Sequence, residues 1–279
     1  MSLFDKLVLT NKLGLLKFKP RKESMPHMKK IIPLLVLLLI PLGISACSTE
    51  SQSENSASKS ETTIVNKPEQ TVSDDEIQQN KQKWEKETKS LKVVHDKVSV
   101  SDYATFPEDL KSLKKNNDYV ISGTVTNLQR MTDNNENAMT KATILVTKVI
   151  KGNEKLEQHK IKVSFSGGIT KNAKSKKVFI QKSAVPIPEI GSKIITGINA
   201  YDTDNADKKQ TEYLKENGLD GTDAFEISVP EYNLWIKSEH GEKYHLNNQT
   251  LTGKNATDKN KKYAKELKKL TEQLNNNYN

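Results

Sequence analysis

The sequence predicts a mainly β domain, a small barrel or sandwich with flanking helices. Short segments rich in Val, Ile and Thr alternate with polar residues and are separated by turn residues, which is typical of strands. Longer segments before and after them carry apolar residues at helical spacing. The β-rich part, residues 93–250, is long enough to bury a core without disulfides.

A polar helix is predicted for residues 73–92, ahead of the strands. Ser73 is a good N-cap, and Glu76 three residues later completes a capping box. We expect this helix to pack a narrow stripe on its own domain or to extend a stalk, and a helix for a partner protein is the alternative. Apolar residues recur on one face at seven-residue intervals, namely Ile77, Trp84 and Leu91.

The two clearest strands form a predicted hairpin. Tyr119–Met131 is rich in β-branched residues and contains Gly123, which indicates a bulge or a close approach of another backbone. Met139–Ile150 follows after a polar connection at residues 132–137. The short connection therefore predicts antiparallel pairing of the two segments.

Further strands follow, with turn or loop residues between them. Lys160–Ser166 alternates cleanly, and Gly167-Gly168 predicts its end, with a lysine-rich loop over residues 169–177. Asp202–Asn217 is predicted to be a polar loop with a helical turn in its second half. The remaining predicted strands are shorter and lie at residues 93–100, Val178–Ile180, Ile194–Tyr201, Ala224–Val229, Tyr232–Ile236 and Lys243–Leu246.

Two more helices flank the predicted strands. A short one covers residues 105–115, where Pro107 suits the first helical turn. The other is the C-terminal amphipathic helix within residues 251–279, at Thr257–Leu274. Its apolar stripe predicts a docking face on its own domain and consists of Tyr263, Leu267, Leu270 and Leu274.

The N-terminal part of the chain has the three parts of a secretory signal. Lys29 and Lys30 follow Met28, an apolar run of 12 residues covers 31–42, and small residues come next. A membrane-spanning helix needs about 20 residues, so the run predicts an export signal. We expect Met28 to be the true start and residues 1–27 to be an upstream extension, and a long natural leader is the alternative.

The four residues that end this signal are Ile44, Ser45, Ala46 and Cys47. They resemble the lipobox of bacterial prolipoproteins, as found in Gram-positive species. The resemblance implies that residues 28–46 are a signal peptide, that a diacylglyceryl group is attached to the Cys47 sulfur, and that the chain is cut between Ala46 and Cys47. It also implies a lipid-anchored protein on the extracytoplasmic face of the cell membrane. Cys47 is the only cysteine, which excludes an intramolecular disulfide.

The composition after the cut changes the charge of the protein. Residues 47–72 are rich in Ser, Thr, Glu and Asn, so they predict a disordered tether after the lipidated cysteine. The 46 residues before Cys47 hold eight of the 44 basic and two of the 35 acidic residues, so the net charge falls from +9 to +3. Scattered lysines balanced by acids predict a solvated surface, and we expect no nucleic-acid partner.

The order of motifs in the β-rich part is similar to that of small uncharacterised lipoproteins of Gram-positive bacteria. Their central domain resembles the OB-type barrel of the netrin/TIMP group, which implies a small OB-like barrel here over about residues 105–250. The chain lacks the cysteines of the secreted animal members, so the resemblance does not imply protease inhibition. The motifs are Asp118–Val125, Val146–Gly152, Gly167-Gly168 and Glu189–Lys193.

Candidate catalytic and metal-binding residues form no familiar pattern. The histidines after residue 46 make no HExxH motif, and Asp202, Asp204 and Asp207 begin like a calcium loop but have no Gly at its sixth position. Ser164 and Ser166 lack the spacing of a nucleophile elbow. We therefore expect no catalytic residue, metal or cofactor. The four histidines concerned are His95, His159, His240 and His245.

These observations predict a non-enzymatic binding module of the cell envelope. Its partners would be the membrane, through the lipid, and an envelope protein, peptide or wall component, through loops or an open barrel face. The alternatives are an envelope hydrolase, which needs convergent His, Asp, Glu and Ser groups, and a transporter's solute-binding lipoprotein, which normally has two α/β lobes.

Overall fold

The computed structural model describes residues 72–96, 106–131, 137–203, 205–252 and 260–279. The predicted upstream extension, signal peptide, lipobox and lipidation site therefore lie outside the described residues, as does the predicted tether up to residue 71. The elements are α1 (Asp74–Thr88), β1 (Lys92–Asp96), α2 (Leu110–Lys115), β2 (Tyr119–Arg130), β3 (Met139–Lys151), β4 (Lys160–Ser166), β5 (Gly168–Lys171), β6 (Lys177–Lys182), β7 (Lys193–Ala200), α3 (Lys208–Glu216), β8 (Ala224–Glu226), β9 (Leu234–Lys237), β10 (His245–Leu246) and α4 (Lys261–Tyr278).

Five strands close into an OB-like barrel, which confirms the predicted fold class. The antiparallel ladder runs from β7 through β2 and β3 to β4, and β8 closes the circle by pairing parallel to β4 and antiparallel to β7. The interior is apolar, because alternate residues of each strand point inward. It includes Ile121, Ile144, Ile161 and Ile194, all fully buried.

The predicted hairpin and the role of its glycine are confirmed. β2 pairs antiparallel with β3, and the register shifts between Ser122 and Gly123. A Cβ atom at Gly123 would lie 2.6 Å from the carbonyl oxygen of Leu145. The bulge therefore requires glycine, because a side chain would separate the two strands.

The two long helices pack on the barrel. In α4 the predicted stripe is confirmed, since Leu267, Leu270 and Leu274 are buried against the outer face of the sheet that contains β2, β7, β9 and β10. In α1, Ile77 and Trp84 pack against the barrel core. The Trp84 ring also meets Phe179 of β6 edge to face, with centroids 6.2 Å apart.

The predicted end of β4 at Gly167-Gly168 is confirmed, whereas the loop predicted over residues 169–177 is wrong, because it contains most of a further strand. Both glycines have positive φ, 108° and 117°, and they turn the chain out of the barrel. The segment predicted as a loop then forms the β5–β6 hairpin, and β6 also pairs parallel with β1. The strands predicted at residues 93–100 and Val178–Ile180 overlap β1 and β6, but the lysines hid β5 and the pairing of the three strands from the sequence pattern.

Several predicted boundaries also differ from the structure. Ser73 caps α1 through Glu76 N–H at 3.1 Å, but the Glu76 carboxylate bonds Lys160 at 3.1 Å, and Leu91 lies beyond the helix. β8 ends at Glu226, three residues earlier than predicted, and Val229 has a positive φ of 49°. β9 begins at Leu234, two residues later than predicted, because the side chain of Asn233 replaces a strand pair there.

Asn233 joins the two strands that share one edge of β7. β9 pairs with residues 193–196 of β7, and β8 pairs with residues 199–200. In the gap, the Asn233 Oδ1 accepts from Gly197 N–H at 3.0 Å, and its Nδ2 donates to Gly197 C=O at 3.1 Å. The Asn233 amide therefore takes the place of a neighbouring strand for one residue.

We expect Asn233→Ala to lower the free energy of unfolding by about 2 kcal/mol or more, because it leaves the buried N–H of Gly197 without its partner and the Gly197 C=O with only the Thr196 hydroxyl, at 3.3 Å. Urea unfolding followed by circular dichroism measures this change. Asn276→Ala on the exposed side of α4 is the matched control. Equal midpoints for the two variants would contradict the role assigned to Asn233.

Candidate functional site

A groove of about 460 Å³ opens on the barrel beside β4. One wall is β4, and the opposite wall comes from the connection between β7 and β8 and from the segment after β8. The end of β6 and the residues after it border a third side. The lining residues are Met139, Ser164, Phe165, Ser166, Lys182, Ala184, Val185, Tyr201, Gln210, Tyr213, Glu226, Ile227, Pro230 and Glu231.

Strand alternation explains which β4 side chains reach the groove. Phe165 is 2% exposed and contributes to the barrel core. Its neighbours Ser164 and Ser166 have the opposite orientation and are more exposed. The groove thus has a hydroxyl-bearing wall built on a rigid strand.

Tyr201 is fixed against this wall. Its phenol oxygen lies 3.1 Å from the Ser164 hydroxyl, within hydrogen-bond distance. Burial raises the pKa of the Tyr201 phenol above its ordinary value of 10.0. The phenol therefore keeps its proton at neutral pH and can donate or accept a hydrogen bond.

Carboxylates lie on the side opposite β4. Burial, and then the charge of Asp202, raises the pKa of Glu226 above its ordinary value of 4.5. Glu231 lines the same side, and its backbone C=O accepts from the Asn248 side chain at 3.0 Å. This part of the groove attracts hydrogen-bond donors and cations and repels anions.

Among the residues that line the groove, the lysine is Lys182, and its charge is paired with a carboxylate. Its ammonium forms an ion pair with Asp96 at the end of β1. Lys182, Met139 and Ser166 also line a second groove of about 570 Å³, which continues over the small sheet. The floor of this second groove includes Val94, Val178 and Ile180. The two grooves share Met139, Ser166 and Lys182 and are therefore neighbours.

The other residues considered from the sequence make local contacts. The Asp202 carboxylate accepts from Asn205 N–H at 3.1 Å, and Asp207 caps α3 by accepting from Gln210 N–H at 2.8 Å. Asp204 lies outside the described residues. The His159 Nδ1 is 2.8 Å from the Glu157 carbonyl. Ser164 and Ser166 reach the groove, whereas His95, His240 and His245 lie elsewhere on the surface.

Apart from Ser164 and Ser166, the groove is lined by residues that the sequence analysis did not single out as candidates. Tyr201, Tyr213, Glu226 and Glu231 come from a different part of the chain from β4, and only barrel closure brings them beside Ser164. The one signal in the sequence was the position of Tyr201 at the end of a predicted strand.

Two further findings concern the described part of the chain. There, no group of three or more His, Cys, Asp or Glu side chains is placed to hold a metal ion. Within the same residues, no helix has the length and apolar character needed to cross a membrane.

Comparisons of the chain with protein-family models, with curated proteins and with solved structures found no match.

We expect the pKa of the Glu226 carboxyl, measured by carbon NMR titration, to lie above 4.5 in the wild type and to fall in Asp202→Asn. Because the folded chain holds this proton more tightly than the unfolded chain, the stability contribution is present below pH 4.5 and is lost as the pH rises through the raised pKa. Lys83→Gln on the exposed side of α1 is the control and leaves the titration unchanged. A Glu226 pKa at or below the ordinary value would contradict the assigned environment.

Proposed function

We propose that the protein is a lipid-anchored, non-enzymatic binding module on the extracytoplasmic face of a Gram-positive cell membrane. The lipobox-like Ile44-Ser45-Ala46-Cys47 supports the anchor. The groove supports the binding role and is the single observation that carries it. It holds polar groups on rigid strands, beside an apolar floor, as ligand sites do.

The position of the groove on the barrel favours ligand binding. OB folds bind ligands on the face of their second and third strands and through the loops that join strands one to two and four to five. In barrel order these are β3 and β4, the β2–β3 connection and the β7–β8 connection. Met139, Ser164, Tyr201 and Tyr213 of the lining belong to these parts.

The lining favours an extended segment of a protein, peptide or wall glycan that is neutral or positively charged. Tyrosine rings and serine hydroxyls suit hydrogen bonding and stacking with such chains. Two carboxylates, Glu226 and Glu231, outnumber Lys182, which Asp96 already neutralises. A nucleic acid is disfavoured, because phosphate binding requires several unpaired cations.

The anchor places this groove at the cell surface. Two acyl chains on Cys47 supply the two hydrophobic signals that stable anchoring needs. The polar tether predicted for residues 47–72 would connect the lipid to the barrel. A ligand fixed in the envelope would then meet the groove at a high effective concentration, so a modest intrinsic affinity suffices.

Labelling of cells with an alkyne analogue of palmitate tests the anchor. We expect label on the wild-type chain and none on Cys47→Ala, because the thiolate is the group that carries the lipid. The control is Ser175→Cys in the Cys47→Ala chain, which restores a thiol elsewhere and stays unlabelled. Equal label on wild type and Cys47→Ala would contradict the anchor.

Photocrosslinking in intact cells tests the groove. A photoreactive amino acid at Gln210 is expected to give a defined adduct, because Gln210 lines the groove, and the same group at Glu272 on the exposed side of α4 is the control. Tyr201→Ala combined with Glu231→Lys is expected to lower the Gln210 adduct at least about tenfold, since both substitutions remove groove contacts. An adduct that persists in this variant, or that forms equally at Glu272, would contradict binding in the groove.

A further inference from the structure

One segment of the folded part is basic and has no acidic residue of its own. Residues 158–188 contain seven lysines and no arginine, aspartate or glutamate. This segment covers β4, β5 and β6, so it belongs partly to the barrel and partly to the small sheet. Its charge of +7 exceeds the net charge of +3 of the chain from Cys47 onward.

The fold neutralises three of these lysines with acids from distant parts of the chain. Lys160 pairs with Glu76 of α1 at 3.1 Å, and Lys162 pairs with Asp223 at 3.0 Å. The third is Lys182, which pairs with Asp96 of β1. The lysines on β4 and at the end of β6 are therefore all paired with a carboxylate.

The other four lysines have no such partner. Lys171, Lys174, Lys176 and Lys177 lie at the tip of the β5–β6 hairpin, where residues 171–177 are all exposed. Among the described residues, none of the four forms an ion pair. We name these four residues the lysine tip.

The lysine tip is an ordered turn, and its four lysines lie within seven consecutive residues. The Asn172 side chain accepts from Lys174 N–H at 2.9 Å and from Lys176 N–H at 3.1 Å, and Asn172 N–H donates to Lys176 C=O at 2.9 Å. Ser175 has a positive φ of 57° and completes the turn. Four like charges held together repel one another, so a polyanionic partner would relieve this repulsion.

We propose that the lysine tip contacts the anionic lipid headgroups of the membrane in which Cys47 is anchored. This inference rests on the proposed lipid anchor, and it adds a second contact that orients the barrel at the surface. Each lysine near an anionic bilayer strengthens association by about fivefold. The tip carries no aromatic or large apolar side chain to insert into the bilayer, so the contact is electrostatic and sensitive to salt.

The shape of the lysine tip favours a flat anionic surface over an anionic polymer. A linear polyanion is bound by cations that follow its backbone along a groove. Here the four charges lie at the end of a hairpin, and the neighbouring grooves carry Asp96, Glu226 and Glu231. A flat bilayer can meet the exposed residues 171–177 at the end of the hairpin, whereas a polymer bound along the groove that Lys171 lines would also meet Asp96.

A second basic surface provides the matched control. On the exposed side of α4 lie Lys262, Lys265, Lys268 and Lys269. Their replacement by Gln removes the same charge as replacement of the lysine tip, at a different place on the domain. Comparing the two variants therefore separates the effect of where the charge lies from the effect of how much charge is removed.

The test reconstitutes the full processed chain into vesicles and measures energy transfer from a fluorophore on Ala173→Cys, an exposed position of the tip, to a labelled lipid headgroup. Vesicles of phosphatidylcholine alone are compared with vesicles that contain about one third phosphatidylglycerol. We expect higher transfer in the anionic vesicles, with a loss at 1 M salt, where the Debye length is about 3 Å. Replacement of the four lysines of the tip by Gln is expected to lower the ratio of molecules whose tip touches the bilayer to molecules whose tip does not by at least about tenfold. The replacement of the four α4 lysines is expected to leave this ratio near the wild-type value.

Equal transfer in the two kinds of vesicle, or an equal loss in the tip and α4 variants, would overturn the inference. Suppression of the transfer by soluble polyphosphate at constant ionic strength, with no difference between the vesicle types, would also overturn it in favour of an anionic polymer. The mass of the mature N-terminal peptide, recorded on the same sample, reports the lipid on Cys47 separately. An unlipidated Cys47 would overturn the anchor itself, whereas a lipidated Cys47 with no tip contact would overturn only this inference.

Discussion

The hydrogen bonds between Asn233 and Gly197 hold the barrel closed. At Gly197 the edge of β7 changes partner from β9 to β8, so the N–H and C=O of Gly197 have no strand partner at that point. The Asn233 Oδ1 accepts from this N–H, and the two hydrogens of its Nδ2 are shared among the Gly197 C=O, Asn117 Oδ1 at 2.9 Å and the Ser228 carbonyl at 3.1 Å. Gly197 must lack a side chain, because a Cβ would overlap the Asn117 amide. One buried side chain thus links β7, the turn after β8 and the loop before β2.

The groove follows from this closure. β8 pairs with both β4 and β7, and this pairing brings Glu226 and Tyr201 beside Ser164. α4 covers a different part of the outer surface of the barrel, where Trp235 Nε1 donates to Thr271 Oγ1 at 2.8 Å and the buried leucines pack. The groove at β4 lies outside this contact. Together with the lipobox-like motif, the groove and the lysine tip support our proposal of a domain that is held at a membrane and binds a ligand of the envelope.

The sequence predicted the elements whose signal is local. The β2–β3 hairpin, the close approach at Gly123 and the buried stripe of α4 each depend on neighbouring residues, so alternation and helical spacing were enough. β5 and its pairing with β6 were missed because the exposed lysines and the two glycines look like a loop. The role of Asn233 and the lining of the groove could not be predicted, because they join residues far apart in the chain and have no spacing of their own.

Amide hydrogen exchange at Gly197, followed by NMR on the intact protein, tests barrel closure most directly. If Asn233 closes the barrel, the Gly197 amide exchanges only by global unfolding, as slowly as the amide of the buried Ile121. If β8 and β9 part from β7 at this corner in the native state, the Gly197 amide exchanges at the rate of an exposed turn such as that at Ala173. That result would contradict both the closed barrel and the groove that depends on it.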